Sequence, residues 1–374
     1  MTTTIGRESP ERADAPGGRS PDLARIGDPV RAAIAKGTLP CAVIGVADAE
    51  GTLHLEAIPG PRHRITTESL FYLASITKPV TATAALALVA EGLLELDAPI
   101  VRVIPELAGD GRDPITLRHL LSHTSGLQDG DYAWLVRERP GWDRLLAAVL
   151  AQKPEWEPGT RFRYATDPLH LAGEAMARVT GIPFAEVVRQ RVLAPLGMTE
   201  SGFDARPRRR RVVPVDGLPM RNPITREVLL RFAARSTIPG GGLFSTAEDL
   251  LRFGRAIVRG GAGVLDRTWT DEMLRDQTAG IPAVHGDGST DPVSYALCWG
   301  KRIGMGAGAD GPAIRIPGAS AGAATHGGAS GTRLVVDPER GLVIVVLSAA
   351  WYQDERTAWE TVANVYAAWE AAGR

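Results

Sequence analysis

The chain has 374 residues, 44% of them apolar, and 42 Lys and Arg against 43 Asp and Glu give a formal net charge of −1. That length fits two domains or one large composite domain. Balanced charge leaves no electrostatic footprint for nucleic acid or an anionic membrane, and two cysteines are too few for a disulfide framework.

Residues 1–20 are rich in Thr, Arg, Glu, Asp, Gly and Pro and carry no apolar stretch. They read as a disordered tail and not as a secretory signal. No window reaches the roughly 18 consecutive apolar residues of a membrane span. The expectation is therefore a cytoplasmic protein acting on a small soluble substrate, with no membrane or nucleic-acid partner. Residues 21–36 pattern as an amphipathic helix, and 42–47 with 52–57 flank Glu50-Gly51 as a β-hairpin. Cys41 and Cys298 both lie in apolar, strand-like surroundings and read as buried free thiols.

Ser75-Ile76-Thr77-Lys78 reads S-x-x-K and opens an apolar helical run over 79–91, with Gly92 as its stop. Residues three apart on a helix share a face, so the Lys78 ammonium reaches the Ser75 hydroxyl. A serine hydroxyl attacks at neutral pH only if a neighbouring base takes its proton. Lysine is such a base only where burial or nearby charge lowers its pKa, and Phe71, Tyr72, Leu73, Ile76 and Val80 supply apolar surroundings. On its own the pattern also fits a helix cap followed by a solvated lysine.

Helical patterns dominate from about residue 69 to 232, including 144–152 and 183–193. Pro158-Gly159 marks a turn, 162–164 alternates as a short extended segment, and a helix over 168–180 ends at Gly181. Tyr164 at that corner can present its phenol to a pocket, as a general base if a cation such as Lys78 lowers its pKa. Arg206 and the run Arg208 to Arg211 form a local basic stretch that reads as a solvated loop.

Strand patterns resume at 295–303, with a possible short strand at 313–316. His326-Gly327-Gly328-Ala329 runs into a strand over 333–336, which pairs across a turn with 342–347, and 356–372 closes the chain as a helix. The apolar stretch 343–350 is a buried strand. Glycines let a strand approach a ligand closely, so the Ala329 N–H can pair with that of Ser75 as an oxyanion hole. His326 could donate to a substrate carbonyl or tune the tyrosine.

Two other patterns are set aside. Gly318-Ala319-Ser320-Ala321-Gly322 matches a G-x-S-x-G nucleophile elbow, but no helix-like run follows, and no acid lies between Ser320 and His326, the only later histidine. Gly306-x-Gly308-x-x-Gly311 matches a dinucleotide fingerprint, but Pro312 and Pro317 stand where a helix should open. His54, His63, His119, His123, His170 and His285 show no metal-site spacing, and no cofactor is expected.

Ser75-x-x-Lys78, Tyr164-x-Thr166 and His326-x-Gly328 together resemble the motif set of serine β-lactamase-like and penicillin-binding-protein-like enzymes. They are most similar to class C β-lactamases and family VIII carboxylesterases. Residues 115–127, 195–198 and 239–250 extend the resemblance over about 70–350, in the expected order. The resemblance implies an α+β fold of the β-lactamase/transpeptidase type. An antiparallel sheet with terminal helices is expected from 21–65 and 235–374, and a mostly helical region from 66–234. It implies Ser75, Lys78 and Tyr164 as catalytic groups, with Thr166, His326, Gly327 and Gly328 binding substrate.

Two departures bear on the substrate. Thr166 stands where class C β-lactamases carry asparagine, so one hydroxyl replaces a side chain that both donates and accepts. His326 replaces the lysine of K-T-G, which removes a fixed positive charge. Both changes favour carboxylic esters, attacked through an acyl-enzyme on Ser75. Acyl transfer to a small metabolite is the alternative, and so is a D-amino-acid peptidase, amidase or β-lactamase activity.

Overall fold

The computed structural model describes residues 20–301, 315–352 and 355–374. The expected tail (all but Ser20), the Gly306 fingerprint and the first half of the short strand expected at 313–316 lie outside the described residues.

Nine strands are present among the described residues: β1 (Ala42–Ala47), β2 (Thr52–Ile58), β3 (Phe71–Tyr72), β4 (Phe244–Ser245), β5 (Pro282–Val284), β6 (Thr290–Pro292), β7 (Ala324–Gly328), β8 (Thr332–Asp337) and β9 (Leu342–Leu347). Five of them form one antiparallel sheet in the order β2-β1-β9-β8-β7. The two expected hairpins are therefore neighbours, joined where Val43 pairs with Leu347 and Ala47 with Val343.

The helices are α1 (Asp28–Ala35), α2 (Thr77–Ala90), α3 (Leu117–Leu121), α4 (Tyr132–Glu138), α5 (Trp142–Leu150), α6 (Leu169–Thr180), α7 (Phe184–Val188), α8 (Pro223–Ser236), α9 (Ala247–Val258), α10 (Arg267–Leu274) and α11 (Arg356–Ala371). Both sheet faces are covered, which is why the strands read as continuous apolar runs. Successive side chains alternate between faces. Ala42, Ile44, Val46, Val335, Leu342 and Ile344 pack towards α1 and α11, against Val30, Trp359 and Trp369. Val43, Leu334, Val336, Val343 and Val345 join the larger core that holds α9 and α2. Helix α2 is buried from Thr77 to Leu88, a helix apolar all round that serves as the pillar of the helical region.

Three expectations need correction. The helix expected over 21–36 begins only at Asp28, with Pro29 in the first turn, where a missing N–H costs nothing. Of the strand expected over 295–303, residues 295–301 form only isolated bridges, Tyr295–Gly300 and Gly300–Thr325, and 302–303 lie outside the described residues. The Ala296 N–H closes a turn onto Trp299 O at 2.7 Å, and Cys298 sits at φ +60°, so extension is broken there. The helix expected over 183–193 ends as α7 at Val188, and Arg189–Leu193 continues as π-helix.

The basic run is a loop that opens with one 3-10 turn, Arg206–Arg208, and three of its charges are paired. Arg206 bridges Asp204 at 2.7 Å, and Arg208 and Arg211 share Glu200 at 3.0 and 2.7 Å. Ser320 is a structural clamp: its hydroxyl donates to buried Asp337 at 2.5 Å and its N–H to the same carboxylate at 3.0 Å. The Tyr366 hydroxyl of α11 donates to Asp337 as well, at 3.0 Å. Ser320→Ala is expected to lower unfolding free energy by about 1 kcal/mol in a denaturant titration while leaving hydrolytic activity intact.

Candidate active site

The sequence around Ser75 builds a bend before it builds a helix. Ala74 holds φ +46°, a left-handed conformation that a residue with a Cβ avoids. Ala74–Ile76 form one 3-10 turn, which passes directly into α2. Ser75 is thus lifted to the mouth of the cleft while Lys78, one turn on, points into the protein and is fully buried.

An ammonium has three hydrogens, and three acceptors surround Lys78 Nζ. They are Ser75 Oγ at 3.1 Å, Thr166 Oγ1 at 3.0 Å and the Gly240 carbonyl at 2.8 Å. Nζ also lies 4.6 Å from the centre of the Tyr164 ring. Burial outweighs the attraction of Asp129 and Asp167 and brings the Lys78 pKa down to about 8. A large part of the lysine is therefore neutral just above physiological pH.

Tyr164 keeps 38% of its surface open, yet its phenol end reaches Ser75 and is desolvated there. Burial raises its pKa and the Ser75 hydrogen bond only partly opposes this, so the phenol holds its proton. His326 Nδ1 contacts Gly327 O at 2.8 Å and Nε2 the Tyr295 hydroxyl at 3.1 Å. Those partners assign the Nδ1–H tautomer, with Nε2 accepting from tyrosine. Burial, with Lys78 nearby, lowers the His326 pKa to about 3, so the ring is neutral.

The turn that leads from the His326 strand into β8 is fastened against the serine turn by two hydroxyls. Ser330 Oγ donates to Tyr72 O at 2.6 Å and Thr332 Oγ1 to Leu73 O at 3.0 Å. The approach is so close that a Cβ on Gly328 would stand 2.2 Å from the Leu73 carbonyl oxygen. Only glycine fits at that point. Ser75, Lys78, Tyr164, Thr166, His326, Gly327 and Gly328 are brought together at one place.

Several contributors escaped the sequence. The Gly240 carbonyl is one; its loop is held by Thr81, whose hydroxyl donates to Pro239 O at 2.6 Å, and by Thr77, which accepts the Leu243 N–H at 3.1 Å. Asp129 is another, accepting the N–H groups of Thr166 and Asp167 at 2.5 and 2.8 Å and so fixing the Thr166 hydroxyl. His123 accepts the Ala165 N–H at 3.3 Å, and its ring lies 4.6 Å from Tyr164. His123 falls in the segment that carried the resemblance, which was the available signal; a backbone carbonyl and a loop aspartate leave none.

Residues 28–367 match the family described as Beta-lactamase. The chain belongs to that family, whose members are serine hydrolases. It is 32% identical to Esterase EstB of Burkholderia gladioli over 76% of this chain and 79% of the esterase. Lovastatin esterase of Penicillium rubens is 30% identical over 66% of this chain and 71% of its own length. Among solved structures, EstCE1, described as a hydrolase with promiscuous acyltransferase activity, superposes with a TM-score of 0.74 at 21% identity, covering 92% of this chain and 98% of that one. The fold is thus the β-lactamase/transpeptidase type expected from the motifs. Among the described residues no helix is long and apolar enough to cross a membrane.

Gly328→Ala is expected to push β7 off the Leu73 carbonyl. The variant should lose about 1–3 kcal/mol of stability, and its turnover should fall further than that of an alanine placed elsewhere on the sheet. Thermal melts alongside esterase rates check this.

Proposed function

We propose that the protein hydrolyses carboxylic esters through an acyl-enzyme on Ser75. The observation that carries the reading is a fully buried Lys78, neutral in large part above pH 8, bonded to the serine hydroxyl at 3.1 Å. Neutral Nζ takes the Ser75 proton as Oγ attacks the ester carbonyl. The N–H groups of Ser75 and Ala329 receive the oxyanion. The raised pKa of Tyr164 makes its phenol the proton donor to the departing alkoxide, with Lys78 restoring that proton. In this reading the base role that the sequence gave to both residues divides between them. Water then attacks the acyl-enzyme by the same route in reverse. Thr166 orients Lys78, and neutral His326 with Gly327 and Gly328 lines the place of the substrate carbonyl.

Esters are favoured over carboxylate-bearing β-lactams or peptides because His326 is neutral and offers no counter-charge. The kinship with two named esterases supports the same choice. We infer a cytoplasmic setting, which the two unpaired buried thiols, Cys41 and Cys298, support.

On p-nitrophenyl acetate and butyrate, Ser75→Ala is expected to lower kcat/KM by about a thousandfold or more. Retention of most activity in that variant would move the nucleophile elsewhere. The wild-type rate should climb as pH rises through about 8, because deprotonation of Lys78 creates the base. A profile flat from pH 6 to pH 10, on the order of the range that brackets that pKa, would remove Lys78 from the role. The acyl-transfer alternative is supported by the likeness to EstCE1. It predicts that an added small alcohol diverts the acyl group into a new ester, detectable by chromatography.

A further inference from the structure

A group of aromatic rings stands near the nucleophile turn. Tyr72, three residues before Ser75, stacks on Trp351 with ring centres 6.3 Å apart and planes 18° apart, and leans on Phe244 at 5.2 Å. Tyr352 meets Trp351 edge-on at 5.4 Å. The Tyr352 N–H donates to the Ala329 carbonyl at 2.7 Å, so this ring is tied to the residue assigned to the oxyanion hole. Tyr132, the first residue of α4, lies within electrostatic reach of both Tyr72 and Tyr352, and Tyr352 within reach of Lys78.

Tyr72 and Trp351 pack against the small core around Leu70, Val212 and Phe244, whereas the other two rings stand out from it. Tyr352 is 77% exposed and Tyr132 54%. Tyr352 is moreover held at φ +52°, a conformation disfavoured for any residue with a Cβ. A strained backbone that displays a large ring to solvent, hydrogen-bonded to Ala329, is accounted for by a ligand that covers the ring. Ring faces and phenol hydroxyls offer dispersion and edge-to-face contact but no charge to pair with an ionised substrate.

We propose that Tyr72, Tyr132, Trp351 and Tyr352 form a specificity subsite for an uncharged aromatic, or comparably flat apolar, group of the ester. The proposal rests on the ester-hydrolase reading of Ser75. The bonds made and broken are those of ester hydrolysis; the subsite only holds one end of the substrate against the rings while the carbonyl sits at Ser75.

The test compares kcat/KM for 2-naphthyl acetate, with the ring on the alcohol, ethyl 2-naphthylacetate, with the ring on the acyl group, and ethyl acetate. Wild type is set against Tyr352→Ala, Tyr132→Ala and Tyr352→Phe. Referring each variant to its own ethyl acetate value removes differences in intrinsic ester reactivity. The preference for one naphthyl ester over ethyl acetate is expected to fall about tenfold in both alanine variants and to persist in Tyr352→Phe. Whichever naphthyl ester loses its advantage identifies the side of the ester that the rings hold. If neither preference moves by more than about twofold in either alanine variant, the subsite is refuted while the Ser75 chemistry stands. If wild type turns over none of the three esters, or Ser75→Ala turns them over equally well, the ester-hydrolase reading fails and takes the subsite with it.

Discussion

A lysine is buried with no carboxylate in direct contact among the described residues, and the rest of the site is arranged around that fact. Removing an ammonium from water is costly unless its hydrogens are all accepted. Lys78 solves this with a hydroxyl from its own helix turn, a hydroxyl from the Tyr164 corner and a carbonyl from the Gly240 loop. The three acceptors come from segments distant in sequence, so Lys78 binds them to one another as well as to itself. The residual penalty shows as a lowered pKa, which is also what lets the amine act as a base.

That arrangement depends in turn on the sheet. Strand β7 lies at one edge of a sheet built from both ends of the chain, and the hydroxyls of Ser330, in the turn after it, and Thr332, at the start of β8, fasten that corner to the carbonyls of Tyr72 and Leu73. The nucleophile turn is pressed onto β7 on one side and continues into the buried helix α2 on the other. Neither the strand nor the helix can shift without moving the other, and that gives a serine on a short 3-10 turn a fixed position.

The electrostatics of the site act in one direction. Burial lowers Lys78 and His326 and raises Tyr164, so each group is pushed towards its neutral form. With Tyr164 and His326 neutral and Lys78 able to give up its proton near pH 8, the site suits proton transfer to and from an uncharged substrate. It is poorly matched to substrates whose recognition needs a permanent cation, and the aromatic wall around Tyr72 and Tyr352 continues the same character outwards.

Much was legible from the chain alone wherever chemistry is local. The spacing of Ser75 and Lys78 sets their contact through helix geometry, and the apolar residues beside them announce burial. The strands at 42–47 and 342–347 follow from unbroken apolar runs, and the order of the three motifs carried the family. What the chain could not show were groups without a side-chain signature or with long-range partners. The Gly240 carbonyl is invisible in a sequence, Asp129 acts only because a loop folds back onto Thr166, and the turn at Cys298 overrides local strand preference. The sequence by itself determined which residue types meet and in which order along the chain. Tertiary structure decided their protonation, because desolvation depends on how many distant segments exclude water from one point, and no local pattern encodes that sum.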